Sequence, residues 1–118
     1  MADLIDLQIG IVRKFKEMRK NYLKYAKIIK ETAEKHFDNF IDLYVFGSVV
    51  KGEEHPMSDV DLAVVLSENV DEEKRIDFYR KVREKIGVVH PFEIHVLSKR
   101  EWETWYKKFV KDDYVRVK

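Results

Sequence analysis

The sequence contains no cysteine, only 4 glycines and 2 prolines, and no long apolar run. A chain without cysteine can form neither a disulfide framework nor a thiolate metal site, which favours a reducing, cytoplasmic location. The longest stretch without a charged residue runs from Leu43 to Val50, far short of the roughly 20 apolar residues that span a bilayer. Asp3 and Asp6 interrupt the first residues, so no signal peptide is expected. We therefore predict neither a membrane segment nor a membrane partner.

Apolar and charged residues are both plentiful in the rest of the composition. Hydrophobic residues make up 45% of the 118 residues and charged residues 38%. This apolar content is sufficient for one core and excludes a disordered chain, which could not offset the entropy cost of ordering. The length corresponds to one domain, so we predict a single domain over residues 1–118.

The charges are unevenly distributed along the chain. Residues 1–36 carry nine basic and five acidic side chains, residues 37–98 seven and thirteen, and residues 99–118 seven and four. The formal net charge is only +1, which argues against a nucleic-acid partner. The acidic middle is compatible with a cation-binding centre, but solvated acidic helices and turns would give the same count.

The hydrophobic spacing predicts an α/β (α+β) domain with the order α-β-α-β-α-β-α. One amphipathic helix, or two in succession, is predicted over about residues 4–37; a break, if present, is expected near Asn21, because asparagine is a weak helix former. The core of the domain is predicted over about residues 41–98, and a C-terminal helix follows over about residues 99–111.

Three strands are predicted in this core because β-branched and aromatic residues occur between turn residues. They cover residues 41–46, 59–66 and 88–97, and the second is expected to be central because it is apolar on both faces. The tail at residues 114–117 is predicted either as a short strand or as a loosely packed end.

The C-terminal helix is expected to begin with a capping box. Ser98 and Glu101 have the spacing in which each side chain bonds to the backbone of the other. The predicted buried face of the helix consists of Trp102, Trp105/Tyr106 and Phe109. We expect the two tryptophans to belong to the core rather than to form a stacking platform for bases.

Polar residues gather around the predicted strands. Gly47 and Ser48 follow the first strand, where backbone N–H groups and a hydroxyl would suit a phosphate. Asp59 and Asp61 project from one face of the second strand, so their carboxylates repel each other unless a cation binds between them. Mg²⁺ fits such a pair because it binds carboxylates together with phosphate oxygens and water. Glu93 lies opposite the apolar face of the third strand and needs a partner or solvent.

Each of these features has an ordinary structural explanation when it is taken alone. A Gly-Ser pair after a strand is most often a turn, an aspartate at a strand start is most often a cap, and Glu93 could be an edge charge. His95 shares the face of Glu93 and could line the site, but a structural histidine is the favoured interpretation. His55 is predicted to be exposed in the loop before Asp59, and the basic N-terminal helix to be solvated.

Together, these residues match a family motif. Phe-Gly-Ser-Val-Val-Lys-Gly at residues 46–52 is followed by Ser-Asp-Val-Asp-Leu at residues 58–62. This stretch resembles the G-S-x10-D-x-D signature of the minimal nucleotidyltransferases in the DNA polymerase β superfamily. The similarity includes the residues around the fixed letters and, through the order of elements, essentially the whole chain. It implies the nucleotidyltransferase fold, a small mixed β-sheet of three or more strands flanked by helices.

The resemblance also implies a role for each matching residue. Asp59 and Asp61 would hold two Mg²⁺ ions, and Glu93 would be the third catalytic and metal-binding carboxylate. The remaining positions would bind the nucleoside triphosphate, with the β- and γ-phosphates at the first two: Gly47, Ser48, Lys51 and Ser58.

The chain departs from the family pattern at three of its positions. Lys51 stands where arginine is common and would contact a phosphate as a point charge instead of a bidentate fork. Val50 replaces a small residue, which changes local packing. Glu93 is one methylene longer than the usual aspartate, which alters the geometry of a bound metal.

The activity implied by the resemblance is Mg²⁺-dependent transfer of a nucleoside monophosphate, AMP from ATP, to a hydroxyl group. With 118 residues, the chain is expected to lack a further domain for the acceptor and to rely on a partner, in a homo- or hetero-oligomer. In the minimal family, that partner is often a HEPN-domain toxin, and the nucleotidyltransferase is the antitoxin that adenylylates one of its tyrosines. Two alternatives stay open: a non-catalytic module that neutralises its partner by contact, and a small-molecule nucleotidyltransferase.

Overall fold

Four strands form one mixed sheet in the computed structural model, which describes residues 3–53 and 58–118. The strands, in spatial order, are β3 (Phe92–Ser98), β2 (Val60–Leu66), β1 (Phe40–Phe46) and β4 (Tyr114–Arg116). β2 and β3 are parallel, whereas β1 is antiparallel to both β2 and β4. The predicted α/β class with a small mixed sheet is confirmed.

Helices precede, connect and follow the strands. The four helices before β3 are α1 (Leu4–Lys20), α2 (Tyr22–His36), α3 (Ser48–Lys51) and α4 (Glu72–Ile86). After β3, the chain forms α5 (Lys99–Glu101), a π-helical turn (Trp102–Tyr106) and α6 (Lys107–Val110). The helices therefore flank the sheet as the sequence predicted.

The core lies on both faces of β2. On one face, apolar side chains of β2 pack with buried residues of α2 and α4, among them Ile29 and Phe78. On the other face, Ala63 and Val65 pack with Leu97 and Trp102. The prediction of a central, doubly covered strand is confirmed. Each large aliphatic side chain buried in this way contributes about 1.5–3 kcal/mol to the free energy of folding.

The N-terminal segment forms two helices, which was one of the two predicted outcomes, and the break lies at Asn21, the position expected for it. Asn21 ends α1 with φ −108° and ψ 32°, and both its backbone N–H and its side-chain amide donate to the carbonyl oxygen of Glu17, each at 3.1 Å. The end of α1 is held on the core by the buried side chain of Met18. In its first three turns, Ile11 is half-buried and the other large aliphatic side chains are exposed.

The strands β2 and β3 begin later than predicted. β2 begins at Val60, so Asp59 immediately precedes the strand. β3 begins at Phe92 and not at Val88, because Gly87 ends α4 with φ +94° and Pro91 has no N–H for strand pairing. Residues 88–91 form a connecting loop.

The C-terminal helix follows the prediction in its start but not in its buried face. The capping box between Ser98 and Glu101 is present. Trp102 is buried, but Trp105 is 64% and Phe109 80% exposed, so the prediction of these two as core residues is wrong.

The π-helical turn explains this difference. A π-helix has i→i+5 hydrogen bonds and thus more residues per turn than an α-helix. The inward-facing side chains are therefore spaced by four: Trp102 and Tyr106 pack with the second apolar cluster, and Val110 is buried. Trp105 and Phe109, which α-helical spacing predicted to be buried, are exposed instead.

The C-terminal tail forms a strand, which was one of the two predicted outcomes. β4 pairs with β1, and the Nε of Arg116 donates to the carboxylate of Asp42 at 3.1 Å. Beyond β4, the N–H of Val117 donates to the carbonyl of Leu43 at 2.9 Å. In the part of the chain that the structure describes, no helix is long and apolar enough to cross a membrane.

Candidate active site

The parallel pairing of β2 and β3 brings together side chains that are far apart in the sequence. The register aligns Asp61 with Glu93 and Ala63 with His95. The antiparallel pairing with β1 aligns Asp61 with Phe46, the residue before Gly47. Because alternate residues of a strand share a face, Asp61, Glu93 and His95 lie on the same side of the sheet.

Asp61, Glu93 and His95 form a close cluster. The three residues offer one ligand atom each, and these atoms lie within 4.8 Å of one another. The Nε2 of His95 is 3.7 Å from Oδ1 of Asp61 and 3.8 Å from Oε1 of Glu93. Asp59 is exposed just before β2 and lies outside this group of three.

The surroundings of Glu93 disfavour the negatively charged form of its carboxyl group. Burial is the largest influence on the Glu93 carboxyl and raises its pKa. His95 opposes this shift, whereas the negative charges of Asp61 and Asp59 raise the pKa of Glu93 further. Asp59 therefore acts electrostatically on the same site, and a cation between these carboxylates would relieve their repulsion.

Gly47 lies directly against Asp61. Its backbone has φ +85° and ψ −158°, a conformation essentially restricted to glycine. A Cβ atom at this position would collide with Oδ2 of Asp61. Glycine is therefore required for the turn at the end of β1 to pack against the carboxylate.

The other residues predicted to bind nucleotide lie around this turn. Ser48 begins α3 and is half-buried, and its carbonyl oxygen accepts a hydrogen bond from the N–H of Glu53 at 2.9 Å. Lys51 ends α3 and is exposed. Ser58 is buried, and its carbonyl oxygen accepts a hydrogen bond from Nη1 of Arg19 at 3.3 Å. His55 lies outside the described residues.

Two residues near the site were not assigned to it from the sequence. His95 was predicted to be structural, but its imidazole contacts the carboxylates while its ring packs beside Phe46 and Tyr106, at centroid distances of 5.7 and 5.5 Å. The alternation of side chains along β3 placed His95 on the same face as Glu93. Only the pairing of β3 with β2 showed that His95 also contacts Asp61. Arg19 is buried and connects α1 to the segment before Asp59, and its sequence context of solvated Lys and Arg gave no signal.

The donor set fits a divalent cation. Carboxylate oxygens are the preferred protein ligands of Mg²⁺ and Mn²⁺, and an imidazole nitrogen also binds divalent transition metals. Two ligands bonded at about 2.1 Å to one ion stand about 3–3.5 Å apart, so the distances of 3.7 and 3.8 Å from His95 to the carboxylates would need to shorten by about 0.2–0.8 Å. Asp61, Glu93 and His95 could thus bind one ion, with Asp59 nearby.

The fold and this arrangement define the class of protein. A mixed sheet with acidic side chains on adjacent parallel strands, next to a Gly-Ser turn, is the arrangement that the sequence motif implied. The family profile described as "Polymerase beta, Nucleotidyltransferase" matches residues 27–113, about three quarters of the chain. The chain therefore belongs to the polymerase beta nucleotidyltransferase family, and the resemblance inferred from its motif is confirmed.

Solved structures agree with this assignment. A protein assigned as a nucleotidyltransferase is 34% identical, with a TM-score of 0.61 over 78% of this chain and 96% of its own. A second such protein, from Sulfolobus solfataricus, is 26% identical, with a TM-score of 0.59 over 87% of this chain and 85% of its own. No protein of curated function gives a significant match.

A more distant structure has the same fold. It is a complex of an MNT antitoxin with a tri-AMPylated HEPN toxin from Shewanella oneidensis. It shares 16% identity, with a TM-score of 0.54 over 80% of this chain and 69% of the other. At this identity the similarity concerns the fold.

Proposed function

We propose that this protein is a Mg²⁺-dependent nucleotidyltransferase that transfers AMP from ATP to a hydroxyl group. The observation that carries the proposal is the convergence of Asp61 and Glu93 across the parallel β2–β3 pair, with the backbone of Gly47 packed on Asp61. A cation site beside a glycine turn is what a triphosphate substrate requires.

Each residue has a defined task in the proposed reaction. The backbone of Gly47, together with Ser48, Lys51 and Ser58, would bind the triphosphate, and the missing Cβ of Gly47 leaves room for the Asp61 carboxylate. Asp59, Asp61 and Glu93 would hold two Mg²⁺ ions. When bound, Mg²⁺ would neutralise the phosphate charge and stabilise the attacking and leaving oxygens.

The proposed reaction is a displacement at the α-phosphorus of ATP. The acceptor hydroxyl forms a bond to the α-phosphorus, the bond between the α- and β-phosphates breaks, and pyrophosphate leaves. We assign the acceptance of the hydroxyl proton to Glu93, because its carboxylate lies beside Asp61 across the β2–β3 pair and a carboxylate can act as a general base. His95 contacts both carboxylates and positions them.

The test of this function replaces one carboxylate and measures two properties. Asp61→Asn should abolish ATP-dependent pyrophosphate release and also weaken the binding of Mn²⁺, which reports on the site without turnover. Asp42→Asn is the matched control, because Asp42 is a half-buried aspartate of the same sheet that pairs with Arg116. Full transfer activity in Asp61→Asn would refute the assignment.

For the acceptor, we propose a tyrosine of a HEPN-domain toxin, so that the chain would act as an antitoxin in the cytoplasm. The support is the fold shared with the MNT antitoxin whose complex holds an AMPylated HEPN toxin. The experiment incubates the protein with ATP labelled at the α-phosphate, Mg²⁺ and a HEPN protein encoded beside it. Label on a tyrosine is expected; binding without label would favour the non-catalytic module.

A further inference from the structure

The first three turns of α1 present an aliphatic surface to solvent. Five side chains in these turns are 37–69% exposed: Leu4, Ile5, Leu7, Ile9 and Val12. A single exposed aliphatic residue is ordinary, but a contiguous group of this kind marks an interaction surface.

Three of these residues form a stripe along one side of α1. Ile5, Ile9 and Val12 follow one another at steps of four and three, so they lie on one face of the helix. They line a shallow groove together with Gln8, Arg13 and Lys16. Met18, which anchors α1 to the core, lies more than a quarter turn away from this stripe.

The stripe lies outside the part of the chain that matches the family profile. The family profile begins at residue 27, so all of α1 precedes it. An amphipathic helix with an uncovered apolar face is stabilised by packing against another surface.

The distribution of charge along α1 indicates which surface can pack against the stripe. Its first turn is acidic, with Asp3 as cap and Asp6, whereas its second half contains Arg13, Lys14 and Lys16. Two such helices attract each other when they are antiparallel, and they repel when they are parallel, because like charges then lie side by side.

We propose that α1 pairs antiparallel with the α1 of a second copy of this chain through Ile5, Ile9 and Val12. Aligning Ile5 with Val12 of the second copy places Asp6 within two residues of that copy's Arg13, about 3 Å along the axis. The two copies are related by a twofold axis, so every contact occurs twice.

The size of this surface sets the expected strength of pairing. A contact limited to one short helix from each copy belongs to the small, transient interfaces that bury less than about 1,200 Å² in total. The dimer should therefore depend on concentration and be detectable by sedimentation equilibrium of the full chain.

The first experiment compares two isoleucines of similar exposure. Ile9 on α1 is 45% exposed and Ile76 on α4 is 48% exposed. Ile9→Glu should weaken dimerisation by about tenfold or more because it places a charge in the stripe, whereas Ile76→Glu should leave it unchanged. A wild-type protein that is monomeric at every concentration, or an Ile9→Glu variant that dimerises normally, overturns the proposal.

The second experiment tests the antiparallel direction. Arg13→Glu alone and Asp6→Lys alone each create two repulsive pairs in the dimer, so both variants should be monomeric. Mixing the two variants restores an attractive pair at both positions, so a heterodimer should form. Circular dichroism verifies that α1 stays helical, since Asp6 belongs to its capping box. Failure of the folded variants to form a heterodimer overturns the antiparallel arrangement.

Discussion

Gly47 and Asp61 are in contact in a way that a residue with a side chain at position 47 would prevent. The carboxylate of Asp61 occupies the space of the missing Cβ, and the backbone of Gly47 has a positive φ. Two separate physical effects, steric exclusion and backbone strain, therefore act at one position. They can be separated by experiment because Gly52 also has a positive φ, but a Cβ at Gly52 would meet no other atom.

Gly47→Ala is expected to abolish nucleotidyl transfer and to lower the free energy of unfolding by about 1–3 kcal/mol, because the new methyl group displaces Asp61 and strains the backbone. Urea unfolding and pyrophosphate release measure the two effects. Gly52→Ala is the matched control: its φ is +73°, but a Cβ there would meet open space. The control should lose about 1–2 kcal/mol and keep its activity; equal loss of activity in both variants would contradict the steric argument.

At the scale of elements, the C-terminal helical segment shows how one π-helical turn changes which residues are buried. The ring of Trp102 stacks on Tyr44 with centroids 4.7 Å apart, and it belongs to the second apolar cluster. Trp105 lies three residues later, where α-helical spacing would also bury it, yet it is exposed. The two tryptophans should therefore differ strongly in their contribution to stability.

Trp102→Ala is expected to lower the free energy of unfolding by about 3–5 kcal/mol, because it leaves a large cavity in the core. Trp105→Ala removes the same side chain from an exposed position and should change the free energy by less than about 0.5 kcal/mol. Chemical denaturation of both variants provides the comparison. A similar loss in the two variants would mean that the helix has α-helical rather than π-helical spacing.

At the scale of the whole molecule, His90 combines influences from three parts of the chain. Burial in the loop before β3 is the largest cause that lowers its pKa, followed by the positive charges of Arg83 on α4 and Lys14 on α1. Its Nδ1 accepts a hydrogen bond from the N–H of Phe92 at 3.1 Å. Folding therefore favours the neutral imidazole.

The sign of the resulting pH dependence follows from the lowered pKa of His90. The unfolded chain binds a proton near pH 6.5, whereas the folded protein binds it only at lower pH, so this contribution to stability is complete above about pH 6.5 and is lost as the pH falls through the folded pKa. His90→Asn keeps a side-chain acceptor for the N–H of Phe92 without titrating. Thermal unfolding between about pH 7 and 5 should show a smaller loss of stability in this variant; an unchanged slope would contradict the prediction.

Much of the fold and part of the site could be predicted from the sequence. The break at Asn21, the capping box of Ser98 and Glu101, and the two-faced burial of β2 depend on contacts within a few residues or on a local period, and these were predicted correctly. Gly47, Asp59 and Asp61 were identified because they lie in one short motif. Their assigned roles in binding nucleotide and metal stay predictions.

The sequence by itself determined the class of the domain and the residues of its motif, because periodicity, caps and motif spacing are local properties of the chain. Only the tertiary structure decided which residues meet: the β2–β3 register joined Asp61 with Glu93 and brought His95 to both. It also selected Tyr106 rather than Trp105 to pack against the core at the π-helical turn and left Ile5, Ile9 and Val12 of α1 exposed. These outcomes depend on packing between segments distant in sequence, which local patterns do not encode.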